Sequence, residues 1–263
     1  MARRRSQPEE LRPQPPTGRS ADRTLGTIAF ETSHTAVEAR FLAGALRPGA
    51  RALDAGCGRT TRLAAYRDSI AELVGVDLDA AAGAENAALD RFVAADVCAR
   101  LPFADGSFDL VYANFVVEHL DDPPAALEEW RRVLAPGGAL VLLTSNRASP
   151  LLAAASLAPR RARVAVKRAG AGVAEDDVIP TRYRANTPAR LASAVAAAGF
   201  APVEVAYVAT LHRYAERTPP LAALLRGVER LLPPRLRSTI VGWYRPVSAQ
   251  GRNGPSSRTS SSP

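Results

Sequence analysis

Three aspartates, one asparagine and a pair of glycines stand at the ends of short apolar runs. Asp54, Gly56 and Gly58 follow "ARAL", Asp77 follows "AELVGV", Asp96 follows "RFVAA" and Asn114 follows "SFDLVYA". Glycines one residue apart let a ligand approach the backbone, and Asp77 follows Gly58 at about the spacing of an acid that takes ribose hydroxyls. A dinucleotide loop wants a further glycine at position 61, where a helix start cradles pyrophosphate; this chain has Thr61. A carboxylate at Asp54, just before the loop, would repel a pyrophosphate. It suits a cation such as an amino-acid ammonium or a sulfonium. Asp96 adds an acceptor for an adenine amino group. The residues therefore describe a ligand with a ribose, an adenine and a cationic end, with a nicotinamide dinucleotide as the alternative.

These side chains can act together only if the strands that carry them end on one rim. The apolar runs are continuous, as in parallel strands covered on both faces. "ARALDAG", "AELVGVD", "RFVAAD", "SFDLVYAN" and "GALVLLTS" read as five strands, "APVEVAYVA" as a sixth and "STIVGWYRPV" as a last. Helices are expected at about 60–66 and through "AAAGAENAAL". Another is expected in "DDPPAALEEWRRVLAPGG", begun by its acids and prolines and stopped by Pro136-Gly137-Gly138. Thr187, Pro188 and Gly199 bracket a further helix, and "TPPLAALLRGVERLL" a last one with Leu221, Leu224, Leu225, Val228 and Leu232 along one face. The alternation gives an α/β fold, a doubly wound, mostly parallel sheet with helices on both faces. In such a sheet ligands lie beyond the C-terminal strand ends, where the strand order reverses.

The chain has 263 residues, 47% hydrophobic, enough for one domain with additions. Residues 1–25 read as a disordered basic leader, lacking the apolar segment of an export signal. Residues 26–247 form the domain, with an insert at 147–180 and a substrate-side part at 181–247, and residues 248–263 a disordered tail. The formal charge of +8 is unevenly spread: residues 26–158 hold 11 basic and 17 acidic groups, a balance of −6. Basic charge sits in the leader, in "PRRARVAVKR" (159–168) and in the C-terminal third, without the interleaved aromatics of single-strand binders. No nucleic-acid partner is expected. Two cysteines, Cys57 and Cys98, make a disulfide framework or cysteine zinc site unexpected and fit a cytoplasmic location. No metal-ligand spacing occurs, so no metal is expected.

"RALDAGCG", "VGVDLD", "AADVCARLPFADGSFDLVYANFVVEHLDDP" and "LAPGGALVLLT", in this order and spacing, resemble the class I S-adenosylmethionine-dependent methyltransferases, and among them the small-molecule (methyltransferase type 11-like) group. The resemblance covers about 36–145 strongly and 187–208 more loosely. It implies a Rossmann-like sheet of seven strands, the last antiparallel, and S-adenosyl-L-methionine as cofactor. It also implies roles: Asp54 and the Gly56–Gly58 loop against the methionine part, Asp77 on the ribose hydroxyls, Leu78 on the adenine, Asp96 with Val97 at the adenine rim, and Asn114 closing the pocket near the methionine part. Position 60, where the family usually has a third alternating glycine, holds Thr60. A nicotinamide-dependent oxidoreductase on a similar fold and a non-catalytic S-adenosylmethionine-binding protein remain as rivals.

Methyl transfer from a sulfonium is a direct displacement, so alignment is the protein's main task, with a base where the acceptor is a hydroxyl or acidic carbon. His119 is the candidate base; alternatively, Glu118 and His119 brace the turn after the fourth strand. His34 reads as structural or substrate-shaping, and His212 as a surface residue. Cys57 is expected to pack behind the loop, and Asp121 and Asp122 to start a helix. "ANFV" after the fourth strand, instead of an Asn/Asp-Pro-Pro-aromatic motif, disfavours base methylation. The acceptor is expected to be a small molecule or lipid-like. Arg182, Tyr183 and Arg184 form either a lid on an anionic or lipid-linked acceptor or a solvated packed segment. Leu151, Leu152 and Leu157 with the basic run suggest a weak membrane-surface contact.

Overall fold

The computed structural model describes residues 33–157, 180–215 and 218–247. The expected leader, the basic run and acidic end of the insert, and the tail lie outside the described residues. Helix α1 (His34–Ala45) leads into β1 (Ala50–Ala55), followed by a 3-10 helix (Arg62–Ser69), β2 (Ile70–Asp77), α2 (Ala80–Ala84), β3 (Arg91–Ala94) and β4 (Phe108–Asn114). After these come α3 (Pro123–Val133), β5 (Leu134–Ser145), α4 (Pro150–Leu157), α5 (Pro188–Ala197), β6 (Phe200–Val208), α6 (Pro219–Leu231) and β7 (Thr239–Pro246).

The seven strands form one sheet in the order β3-β2-β1-β4-β5-β7-β6. The pairs from β3 to β5 are parallel, and β7 runs antiparallel to both β5 and β6. Alternate residues of each strand enter opposite cores. Leu53, Val74, Val111 and Leu140 pack with Trp130 of α3 and Leu191 of α5. Ala52, Leu73, Leu110 and Val141 pack with Phe41 and Leu42 of α1 and Leu63. Covering both faces explains the continuous apolar strands. The order reverses between β1 and β4, so the rim above those two strands is the switch point.

Four local expectations need correction. The segment expected as a helix at 60–66 is a 3-10 helix that begins at Arg62 and kinks at Tyr66; β-branched Thr61 is extended and caps it by accepting from Leu63 N–H. Helix α2 ends at Ala84, not near Leu89: Asn86 leaves the helical path to donate to the Gly58 carbonyl at 3.1 Å. Pro136-Gly137-Gly138 does not end α3; the helix stops at Val133 and the three residues lie inside β5, where the pairing with β4 shifts register. On α6 the expected leucine face is only partly buried: Leu225, Val228 and Leu232 are half-buried. Leu221 and Leu224 are 45% and 61% exposed, while Ala222 and Glu229 turn inward. Glu229 accepts from the N–H groups of Leu211 and Ser238, and that demand sets the helix rotation.

Candidate active site

The loop after β1 is built to bring backbone close to a ligand. Gly56 has φ +77° and Gly58 φ +51°, both in the left-handed region. A Cβ on Gly56 would stand 2.4 Å from Val116 Cγ2, so this glycine packs the loop against the turn leaving β4. A Cβ on Gly58 would meet nothing within 4 Å, so its outer side is open to a ligand. The N–H groups of Gly56 and Cys57 donate to the Val76 carbonyl at 2.7 and 3.1 Å, tying the loop to β2. Cys57 is buried under the loop, and desolvation with Asp54 and Asp77 pushes its thiol up to about 12, which disfavours the thiolate.

Asp54 is 2% exposed and its carboxyl is pushed up to about 7. Desolvation is the main cause, opposed by a hydrogen bond from Thr61 and reinforced by Asp77 and Glu38. Among the described residues no basic side chain figures among the groups that shift it. Asp77, at the end of β2, accepts from Gly58 N–H at 2.9 Å and from Asp79 N–H at 2.9 Å, which fixes its carboxylate beside the glycine loop. Leu78 follows it with its side chain 74% exposed. Across the β2–β3 pair, Asp96 is exposed and accepts from Cys98 N–H at 2.8 Å, and Val97 is buried. These residues share the rim of neighbouring strands.

The turn leaving β4 supplies the other wall. Asn114 Oδ1 is buried without a hydrogen-bond partner among the described residues, an orphan acceptor at the strand end. Phe115 follows with φ +55°, in the left-handed region that costs a bulky residue energy, held by donation of its N–H to Leu143 O. Glu118 is buried and accepts from the hydroxyls of Thr144 and Ser145 at 2.7 and 2.9 Å. His119 is half-buried, with Nδ1 2.9 Å from the Pro180 carbonyl. A carbonyl only accepts, so Nδ1 is the donor in this contact, and in the neutral ring the lone pair is then on Nε2. Asp122 caps α3 through Ala125 N–H, and Asp121 pairs with Arg182 at 3.0 Å.

A second cluster escaped the sequence reading. Glu38 of α1 is buried, accepts both Arg62 Nε contacts at 2.7 and 2.8 Å and a short hydrogen bond from Tyr112, and its carboxyl is raised by desolvation. Its signal was an acid four residues after His34, on the apolar face shared with Val37, Phe41 and Leu42. His34 is buried, accepts from Arg213 at 2.7 Å, and is depressed to about 4 by desolvation, Arg213, Arg62 and His212. It lies edge-on to Phe115, 6.4 Å between rings, so α1 braces the β4 turn. His212 is half-buried in the 3-10 helix at Leu211–Ala215, not on the open surface. Among the described residues no group of three His, Cys, Asp or Glu is arranged to hold a metal, and no helix is long and apolar enough to cross a membrane.

Residues 53–142 match the family described as a methyltransferase domain. The fold is that of the class I methyltransferases. A malonyl-[acyl-carrier protein] O-methyltransferase of Enterobacter lignolyticus is 41% identical over 98 residues, 36% of this chain and 39% of that protein. A demethylmenaquinone methyltransferase of Beutenbergia cavernae is 40% identical over 99 residues, 36% of this chain and 41% of that protein. The chain thus spans about two-fifths of the length of the curated relatives it matches. The crystal structure of a geranyl diphosphate C-methyltransferase from Streptomyces coelicolor, in complex with magnesium, geranyl diphosphate and S-adenosyl-L-homocysteine, aligns with a TM-score of 0.56 at 16% identity, covering 81% of this chain and 78% of that one. At that identity the likeness is one of fold. The cofactor implied is S-adenosylmethionine, and the rim fits it: a buried carboxyl with no basic side chain against it among the described residues, an open glycine, an acid fixed beside it, an exposed leucine and an amide oxygen with no partner among those residues.

Proposed function

We propose that this protein is an S-adenosylmethionine-dependent methyltransferase acting in the cytoplasm on a small-molecule or lipid-like acceptor by direct methyl displacement. The observation that carries this reading is Asp54, a desolvated carboxylate at the switch point beside an open glycine loop and without a basic partner among the described residues. When bound, the cofactor supplies an electrophilic methyl group on a sulfonium. Asp54 and the Gly56–Gly58 backbone receive its amino-acid end. Asp77 takes the ribose hydroxyls with the lone pairs left after its two N–H contacts, Leu78 covers the adenine, and Asp96 with Val97 holds its rim. Asn114 closes the pocket near the methionine part.

His119 is the proposed base. Its Nδ1 is committed to Pro180, so Nε2 takes the proton from an acceptor hydroxyl or acidic carbon as the new bond to methyl forms. Relatives named for a malonyl-[acyl-carrier protein] and a demethylmenaquinone support an acceptor of small or lipid-like kind. Residues 26–247 are taken as the catalytic unit, with 147–180 and 181–247 on the acceptor side. A weak membrane-surface contact suits such an acceptor, and a nucleic-acid substrate does not fit the acidic cofactor region.

Titration calorimetry with S-adenosylmethionine, S-adenosylhomocysteine and NAD tests the reading, alongside Asp77→Ala checked for its melting temperature. Micromolar binding of both adenosyl ligands, lost in Asp77→Ala and absent with NAD, is expected. Binding of NAD alone would make an oxidoreductase the better account. Labelled methyl transfer to an acceptor panel then separates an enzyme from a protein that only holds the ligand.

A further inference from the structure

Two residues past the end of β5, Arg147 is half-buried and anchored by its own backbone, whose N–H donates to Asn186 O at 2.6 Å. Its guanidinium lies over the Tyr183 ring, 4.9 Å from the centroid, and its Nη1 is buried with no acceptor among the described residues. An arginine stays charged throughout the ordinary pH range, so a buried donor without an acceptor carries an uncompensated desolvation cost. The neighbouring arginines are offset: Arg182 and Arg184 stand 3.0 and 3.8 Å from Asp121. Arg147 has no such carboxylate within 4.0 Å among the described residues.

The platform beneath Arg147 is held against strain. Tyr183 has φ +54°, a conformation an aromatic residue rarely adopts. It is kept there by the Glu118 carbonyl, which accepts from both Arg182 N–H and Tyr183 N–H at 2.7 and 3.0 Å. The Glu118 carboxylate in turn clasps Thr144 and Ser145 at the end of β5, and Asn186 donates to Thr144 Oγ1 at 2.6 Å. Thus the turn after β4, the end of β5 and the 182–186 segment are locked together around one guanidinium. Strain of this kind persists only where surrounding contacts over-determine it, and it concentrates at ligand sites. His119 is the next residue after Glu118, so the same lock carries the proposed base.

We propose that Arg147, stacked on Tyr183, is the anchor for an anionic group, a carboxylate or a phosphate, on the methyl acceptor. The proposal rests on the methyltransferase reading and narrows its acceptor to one bearing such a group. A planar guanidinium offers paired N–H donors that match either anion in a forked geometry, and the ring beneath keeps it flat. Tyr183 and Glu118 are positioning residues for it.

The test uses full-length protein saturated with S-adenosylhomocysteine, titrated by calorimetry with sodium malonate, inorganic pyrophosphate and uncharged dimethyl malonate. Wild type, Arg147→Gln and Arg147→Lys are compared, with thermal unfolding of each and binding of S-adenosylhomocysteine measured in parallel. One anion is expected to bind wild type, the diester not at all. Arg147→Gln should weaken that anion at least tenfold and Arg147→Lys restore part of it, with cofactor affinity unchanged. Malonate or pyrophosphate as the better probe assigns carboxylate or phosphate. Equal anion binding by wild type and Arg147→Gln, or no anion binding by a wild type that holds S-adenosylhomocysteine, would overturn the anchor alone. Failure of wild type to bind S-adenosylhomocysteine would overturn the methyltransferase reading and the anchor with it.

Discussion

At the scale of single residues, Asp54 sets a measurable proton linkage. Burial raises its carboxyl from 3.8 to about 7, Asp77 and Glu38 add to the rise, and the Thr61 hydrogen bond opposes it. A raised carboxyl contributes most to the stability of the ligand-free protein below its ordinary range. That contribution is lost as the pH climbs through about 7. An ammonium beside Asp54 favours the carboxylate and pulls its pKa down, so binding expels the proton. Calorimetry of S-adenosylhomocysteine at pH 6, in buffers of different ionisation enthalpy, should show release of up to about one proton, and Asp54→Asn should abolish it. No buffer dependence at pH 6 would mean that the ammonium sits elsewhere. Asp54 was legible in the sequence because it ends an apolar run beside two glycines. Arg147 was not, because nothing local marks a buried guanidinium. Its meaning arises from Tyr183 and Asn186, more than thirty residues away.

At the scale of elements, the two glycines of the loop have separable duties that single substitutions can distinguish. Gly58→Ala puts a methyl into open space at φ +51°, so it costs about 1–2 kcal/mol for left-handed backbone and leaves the packing intact. That methyl occupies the ligand's approach, so cofactor affinity should fall at least tenfold in a protein that still unfolds cooperatively. Gly56→Ala adds a 2.4 Å clash with Val116 to its left-handed strain and should destabilise the fold more than Gly58→Ala does. Urea unfolding and calorimetry on the pair read both effects; equal stability losses would refute the division. Strands and the caps at Asp122 and Thr187 could be read locally because each is written in neighbouring residues. The shortening of α2 and the rotation of α6 could not. They follow from Asn86 reaching the glycine loop and Glu229 collecting distant N–H groups, and such tertiary demands override local preference.

At the scale of the molecule, the sheet divides at its switch point into β3-β2-β1 and β4-β5-β7-β6, and the proposed ligand spans the division. Across that division β1 pairs in parallel with β4 at Ala52, Leu53 and Asp54, the last of which is the residue expected to meet the ligand, and both cores continue from one half to the other. A ligand that touches Asp77 on one side and Asn114 on the other binds the folded sheet and not the open chain. Mass action then fixes the size of its effect: at one hundred times the dissociation constant it stabilises by about 2.7 kcal/mol. For a chain of this size that corresponds to a rise in Tm of roughly 5–10 °C. S-adenosylhomocysteine should produce such a rise and NAD none. Asp77→Ala should remove it while keeping a single transition, because the variant loses the ligand's ribose contact along with two N–H contacts of its own. A rise that survives in Asp77→Ala at the same ligand concentration would place the ligand away from the β2 end of the rim.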